Sequence, residues 1–217
     1  MWNTVAKRYL IKIEILINMI KNIVFDMGNV LVKWAPETFI KAYSEQEKEL
    51  FRKEIYYSEN WLRLDRGELS EEELTELVKS RIPSRYHSDA EKLIRWYDLS
   101  SQIDGMEQLV LRLKNKGYNI YLLSNTSQAF YKFRELFPVI KHFDGTFISA
   151  DYGILKPDRQ IFRLFCNKFS VIPSECVFID DSPANVKSAA EEGFSGIVFN
   201  GNAEELKREL VNLNLFK

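Results

Sequence analysis

Asp26 closes a short apolar run, Ile23-Val24-Phe25, and is followed by Gly28-Asn29. That pattern reads as a buried strand stopping in a turn with a carboxylate at its end. Other runs deliver polar groups in the same way. Ser124-Asn125 follow the apolar stretch 119–123, Lys156-Pro157 lie beyond 145–149, and Asp180-Asp181-Ser182 follow 176–179. These groups share one chemistry. Phosphoryl transfer needs an in-line nucleophile, a metal between the nucleophile and the phosphate oxygens, and cations for the spread negative charge. Asp26 can attack phosphorus and form an aspartyl-phosphate. Asp180 and Asp181 would repel one another unless a hard cation shared them, and magnesium favours a few carboxylates, a carbonyl and water. Asp181 is expected as the more direct ligand and Asp180 as its companion. Ser124 and the backbone amide of Asn125 can donate to a phosphate oxygen, and Lys156 can neutralise charge on both Asp26 and the phosphate.

The elements that must hold these residues follow from periodicity. Helical patterns at 106–116, 127–137, 158–169, 183–192 and 203–213 separate the apolar runs, the last of which is 196–199. Strands alternating with helices predict right-handed βαβ units, hence an α/β fold with a Rossmann-like, doubly wound parallel sheet. In such sheets ligands bind beyond the carboxyl ends of the strands, where the polar residues above fall. Residues 36–103 break the rhythm, with helix-forming segments at 41–56, 70–81 and 90–97 and no convincing strand. They are expected to form a helical domain inserted into a core made of 19–35 and 104–217. Met19 precedes the first strand, so 1–18 are read as an N-terminal extension from a start codon placed upstream.

Phe25-Asp26-Met27-Gly28-Asn29-Val30, Leu123-Ser124-Asn125, Lys156-Pro157 and Ile179-Asp180-Asp181-Ser182-Pro183, in this order and each beyond a strand, resemble the four motifs of the haloacid dehalogenase (HAD) superfamily. The DMGNV form of the first is similar to the branch that includes bacterial α-glucose-1-phosphate phosphatases. The resemblance implies a magnesium-dependent phosphatase with Asp26 as nucleophile, and a metal held by Asp26, the backbone carbonyl of Gly28 and the Asp180/Asp181 pair. It also implies that the helical insertion is a C1-type cap. Most phosphatases of the family carry a second aspartate two residues after the nucleophile, as general acid and base. Gly28 stands there in this chain. The lost role is generally worth about 10²- to 10⁴-fold in rate, so turnover is expected to depend steeply on how well the leaving group bears charge. A 2-haloacid dehalogenase, a phosphomutase and a non-catalytic phosphate-binding protein are the competing readings; the paired acids disfavour the first and Gly28 the second.

Composition narrows the partners. Thirty Lys+Arg against 31 Asp+Glu leave a formal charge of -1 over 217 residues, without the concentrated basic face that nucleic acid requires. Cys166 and Cys176 lack metal-binding spacing and read as reduced thiols, and two histidines, His87 and His142, give little basis for a His-ligated metal. Lys12 and Glu14 interrupt the apolar stretch 9–20, so neither an export signal nor a spanning helix is expected. The reading is a cytoplasmic protein that meets a small phosphorylated molecule and no membrane, with monomer and homodimer both open. Trp61, Trp96 and Tyr97 could line a substrate pocket but read rather as core residues of the insertion, and Asp65-Arg66-Gly67-Glu68 as a turn between helices, either solvated or reaching toward a substrate.

Overall fold

In the computed structural model, residues 20–213, 215 and 216 are described, and the expected extension 1–18 lies outside them. Alternation within each strand builds the sheet. In β1 (Asn22–Phe25), Ile23 and Phe25 enter one apolar layer and Val24 the other, all three fully buried. β2 (Asn119–Ser124), β3 (Gly145–Ile148), β4 (Cys176–Asp180) and β5 (Ser195–Val198) complete a five-stranded sheet of order β3-β2-β1-β4-β5. Every neighbouring pair is parallel. A strand buried on both faces requires helices on both, and the sequence supplies them. β1 lies at the centre, so what leaves its carboxyl end emerges between the ends of β2 and β4.

Between β1 and β2 the elements are helical. Ser44 and Glu47 form a capping box that starts α1 (Glu45–Phe51), which runs on into a π-helical stretch, Arg52–Tyr56. Then come α2 (Glu59–Asp65), α3 (Glu71–Lys79) and α4 (His87–Ile94). α3 has its own capping box, from Ser70 and Glu73, and three acids in its first turn, where they suit the helix dipole. The helical segments expected at 41–56, 70–81 and 90–97 thus start or stop where caps and breaks dictate. The chain enters and leaves this insertion through a paired neck: Ile103 N donates to Leu31 O at 2.8 Å and Lys33 N to Ser101 O at 2.9 Å.

Beyond the neck, α5 (Met106–Asn115), α6 (Arg159–Phe169), α7 (Pro183–Glu191) and α8 (Ala203–Asn212) pack on the sheet. One expected helix does not form. Residues 127–137 contain a single α-turn, Phe130–Phe133, and a 3₁₀ turn, Arg134–Leu136. Tertiary contacts override the periodicity at both ends. Thr126 N is held by Ser149 Oγ at 2.9 Å, and the Phe133 ring stacks on Tyr97 of the insertion at 4.6 Å. Among the described residues, no helix is long and apolar enough to cross a membrane.

A second contact ties the insertion to the core. Ser149 Oγ donates to the backbone oxygen of Asp65 at 2.6 Å. Gly67, at φ +73°, comes so close to Ala150 that a Cβ there would lie 2.3 Å from its carbonyl oxygen. Only glycine fits both that conformation and that approach.

Candidate active site

The site is built from strand ends. Asp26 leaves β1 while its N–H still donates to Ile179 O of β4 at 2.9 Å, which sets its carboxylate beside Asp180. The chain then turns sharply, with the amides of Val30, Leu31 and Val32 all directed at Met27 O. Asn29 adopts the left-handed conformation at φ 53°, for which asparagine is one of the suited residues. Its side chain accepts from Trp34 N at 3.0 Å and donates to Asp181 Oδ2 at 3.1 Å, so one amide joins the first loop to the fourth.

Lys156 gathers three strand ends. Its ammonium donates to Asp26 Oδ1 at 2.7 Å, to Asp180 Oδ2 at 2.7 Å and to Leu123 O at 3.0 Å, which uses all three donors of the group. Asn125 fixes the backbone that carries it: Lys156 N donates to Asn125 Oδ1 at 2.8 Å, and Asn125 Nδ2 donates to Lys156 O at 3.0 Å. Burial favours the neutral amine, but the Asp26 and Asp180 carboxylates outweigh it and hold the Lys156 pKa above the ordinary value. Asp180 is saturated, accepting also from Ser182 N at 2.8 Å and from Asn185 Nδ2 at 3.1 Å. Asp181 is only partly buried and lines the cavity.

Asp26, Asp180 and Asp181 each offer an oxygen, all within 4.8 Å of one another. A donor set of carboxylate oxygens fits a hard cation. Charge gives the same answer. Three clustered carboxylates face one ammonium, and burial, countered by Lys156 and reinforced by Asp180, pushes the Asp26 carboxyl up to about 7. Without a further cation, three ionised carboxylates would not be balanced there.

The cluster opens into a cavity of about 200 Å³. Asp26, Gly28, Asn29, Asn125, Thr126, Lys156, Asp181 and Asn185 form its polar floor, and Trp34, Trp61 and Trp96 its aromatic wall. Trp34 is the hub of that wall, 5.2 Å from the Trp61 ring and 5.0 Å from Trp96. Trp61, Trp96 and Tyr97 are all buried in the core, as expected, and Trp61 and Trp96 line the cavity as well; Tyr97 does not. The segment 65–68 is also more than a solvated turn: Asp65 is the last residue of α2 and faces the cavity.

Of the predicted residues, Asp26, Gly28, Asn125, Lys156 and Asp181 line the cavity, and Asp180, fully buried behind them, joins the cluster through Lys156. Ser124 lies fully buried at the end of β2 and does not line the cavity; Asn125 and Thr126 do. Asn125 has its side chain committed to Lys156. Sequence reasoning gave no role to Trp34, Asn185 or Thr126 and none to the Asn29 side chain. Asn29 stood inside a quoted motif and Asn185 one turn into the helix after Asp180-Asp181, so both had a positional signal, whereas Trp34 had none.

Comparison with known proteins agrees with this geometry. The family model for haloacid dehalogenase-like hydrolases matches residues 20–193. Flavin mononucleotide hydrolase 1 of Arabidopsis thaliana is 29% identical over 156 residues, 71% of this chain but only 62% of that protein. The chain therefore spans less than two thirds of that relative. D-ribitol-5-phosphate phosphatase of Bacteroides thetaiotaomicron is 29% identical over 190 residues, covering 81% of this chain and 90% of that enzyme. A HAD-family enzyme from Bacteroides thetaiotaomicron, solved in complex with magnesium and inorganic phosphate, superimposes with a TM-score of 0.64 at 26% identity, over 84% of this chain and 96% of its own. With the sheet order, the four strand-end motifs and a family match over most of its length, the chain belongs to the haloacid dehalogenase-like hydrolases.

Proposed function

We propose that this hydrolase is a magnesium-dependent phosphatase that cleaves a small phosphorylated metabolite, with a sugar or polyol phosphate as the class its site suits best. The observation that carries the reading is the buried Lys156 ammonium bridging Asp26 and Asp180, with Asp181 beside them. Asp26 Oδ1 is held by Lys156, which fixes the carboxylate at the floor of the cavity. Its second oxygen then attacks phosphorus as the ester oxygen departs, and water afterwards attacks phosphorus and returns the carboxylate. Lys156, the backbone amide of Asn125 and the Thr126 hydroxyl offset charge on the phosphoryl oxygens.

Asp26, Asp181 and the Gly28 carbonyl are the groups that would hold magnesium, while Asp180, saturated by its neighbours, orients Lys156. When bound, the ion supplies the positive charge that lets carboxylate and phosphate oxygens approach one another. The cavity has room for a small alcohol, and the tryptophan wall suits the C–H face of a carbohydrate. The relatives named for D-ribitol 5-phosphate and flavin mononucleotide support a polyol phosphate ester, and the neighbour solved with magnesium and phosphate supports the metal. In this reading 36–103 act as a cap over a core of 19–35 and 104–217.

Treatment with EDTA is expected to lower phosphatase activity at least about 100-fold, and added magnesium to restore it. Hydrolysis of 4-nitrophenyl phosphate, followed before chelation, after chelation and after magnesium is returned, checks this. Full activity in metal-free buffer would exclude the role given to the carboxylate cluster.

A further inference from the structure

The loop after β1 leaves the leaving group without an acid. A Cβ on Gly28 would lie 3.4 Å from Trp34 Cβ and 4.0 Å from Asp26 Oδ2, so a side chain at that position would project between the nucleophile and the aromatic wall. Glycine offers nothing there to protonate a departing oxygen. The insertion, however, presents a carboxyl group to this cavity. Asp65 lines the same 200 Å³ space as Asp26 and Gly28, amid Trp34, Trp61 and Trp96. It is not one of the three clustered acids suited to the metal.

Asp65 is placed with care and at some cost. It ends α2, where the negative end of the helix dipole disfavours an acid. Its backbone oxygen accepts from Ser149 Oγ at 2.6 Å, and Gly67 packs against Ala150. The two core residues that grip this segment, Ser149 and Ala150, follow directly on β3. Those contacts hold the carboxyl group in register with the strand ends rather than leaving it on a free loop.

We propose that Asp65 is the general acid and base of the reaction, doing from the insertion what the residue at position 28 cannot. The proposal rests on the phosphatase reading above. As the Asp26 oxygen bonds to phosphorus and the P–O bond to the alcohol breaks, the Asp65 proton passes to the leaving oxygen. In the second step the Asp65 carboxylate takes a proton from the attacking water while the phosphorus–Asp26 bond breaks, and inorganic phosphate leaves. Both residues are then restored. Burial among the tryptophans, with the Asp26 charge adding to it, pushes the Asp65 carboxyl up to about 7, consistent with a group that carries a proton near neutrality and can release it. The steep dependence on leaving-group acidity expected from Gly28 alone is accordingly reversed: the wild type handles poor leaving groups well, and the steepness appears when Asp65 is lost.

The test compares kcat/KM and kcat for a graded series of phosphates, from 4-nitrophenyl through phenyl to simple alkyl esters, in the wild type and in Asp65→Asn. The amide keeps the shape of the carboxyl group but cannot act as an acid. The expected result is that the ratio of aryl to alkyl kcat rises at least about 100-fold in the variant. A second variant adds Gly28→Asp to Asp65→Asn; Gly28 has a negative φ and space for a Cβ, and alkyl kcat is expected to recover at least about 10-fold. An equal fall on every ester, or a change confined to KM, would overturn the proposal and make Asp65 a structural or binding residue. A wild type inert toward all phosphates would instead overturn the phosphatase reading on which the proposal rests.

Discussion

Asp26→Asn is expected to lower kcat by on the order of 10⁴-fold or more while the protein stays folded. The amide keeps the shape and one acceptor for Lys156 but cannot form the aspartyl-phosphate. Stability should not suffer. Burial raises the Asp26 pKa from 3.8 to about 7, so in the metal-free protein ionisation of this group costs stability as pH rises from the unfolded value through the folded one. An amide has no such penalty. Its melting temperature at pH 8 in EDTA should therefore equal or exceed that of the wild type, and a variant retaining more than a few per cent of wild-type turnover would exclude Asp26 as the nucleophile.

The second large effect is expected at Lys156. In Lys156→Met the carboxylates of Asp26 and Asp180, buried on the sheet ends, lose the cation that bridges them. Breaking a buried pair by removing one partner typically costs about 3 to 5 kcal/mol, and here a single ammonium serves two acids. In a chain of this size that corresponds to a melting temperature lower by roughly 10 °C. Turnover should fall by at least about 100-fold, because the carboxylate loses its orientation and the phosphoryl oxygens a positive charge. Thermal melts and kcat measured on the same preparation separate the two effects. A variant that melts with the wild type would contradict the bridging role.

Asp26 was legible in the sequence because a short apolar run ending in a charged residue says both where a strand stops and what it presents, whereas Lys156, eight residues beyond β3, was legible through its match to the third motif. All five strands could be read from their apolar runs, and with them the parallel sheet and the meeting of Asp26, Lys156, Asp180 and Asp181 at its carboxyl edge. The wall of the cavity was not legible. Helical spacing shows that Trp61 and Trp96 are buried, but not that they share a space with Trp34 and Asp26. Asp65 was harder still, since its anchor on Ser149 joins residues 84 positions apart and its place at a helix end resembles an ordinary solvated turn. The failed helix over 127–137 has the same cause. Phe130, Phe133 and Phe137 carry helical spacing, yet the Tyr97 ring and the end of β3 settle their conformation.

The central claim is that Asp26 takes the phosphoryl group. The most direct measurement mixes the wild type with a rapidly hydrolysed aryl phosphate and magnesium, quenches in acid within the first turnover, reduces with borohydride and maps the peptides by mass spectrometry. An aspartyl-phosphate is reduced to homoserine, so the account predicts homoserine at position 26, absent when substrate is omitted. Steady release of phosphate with Asp26 unmodified at every quench time would contradict it.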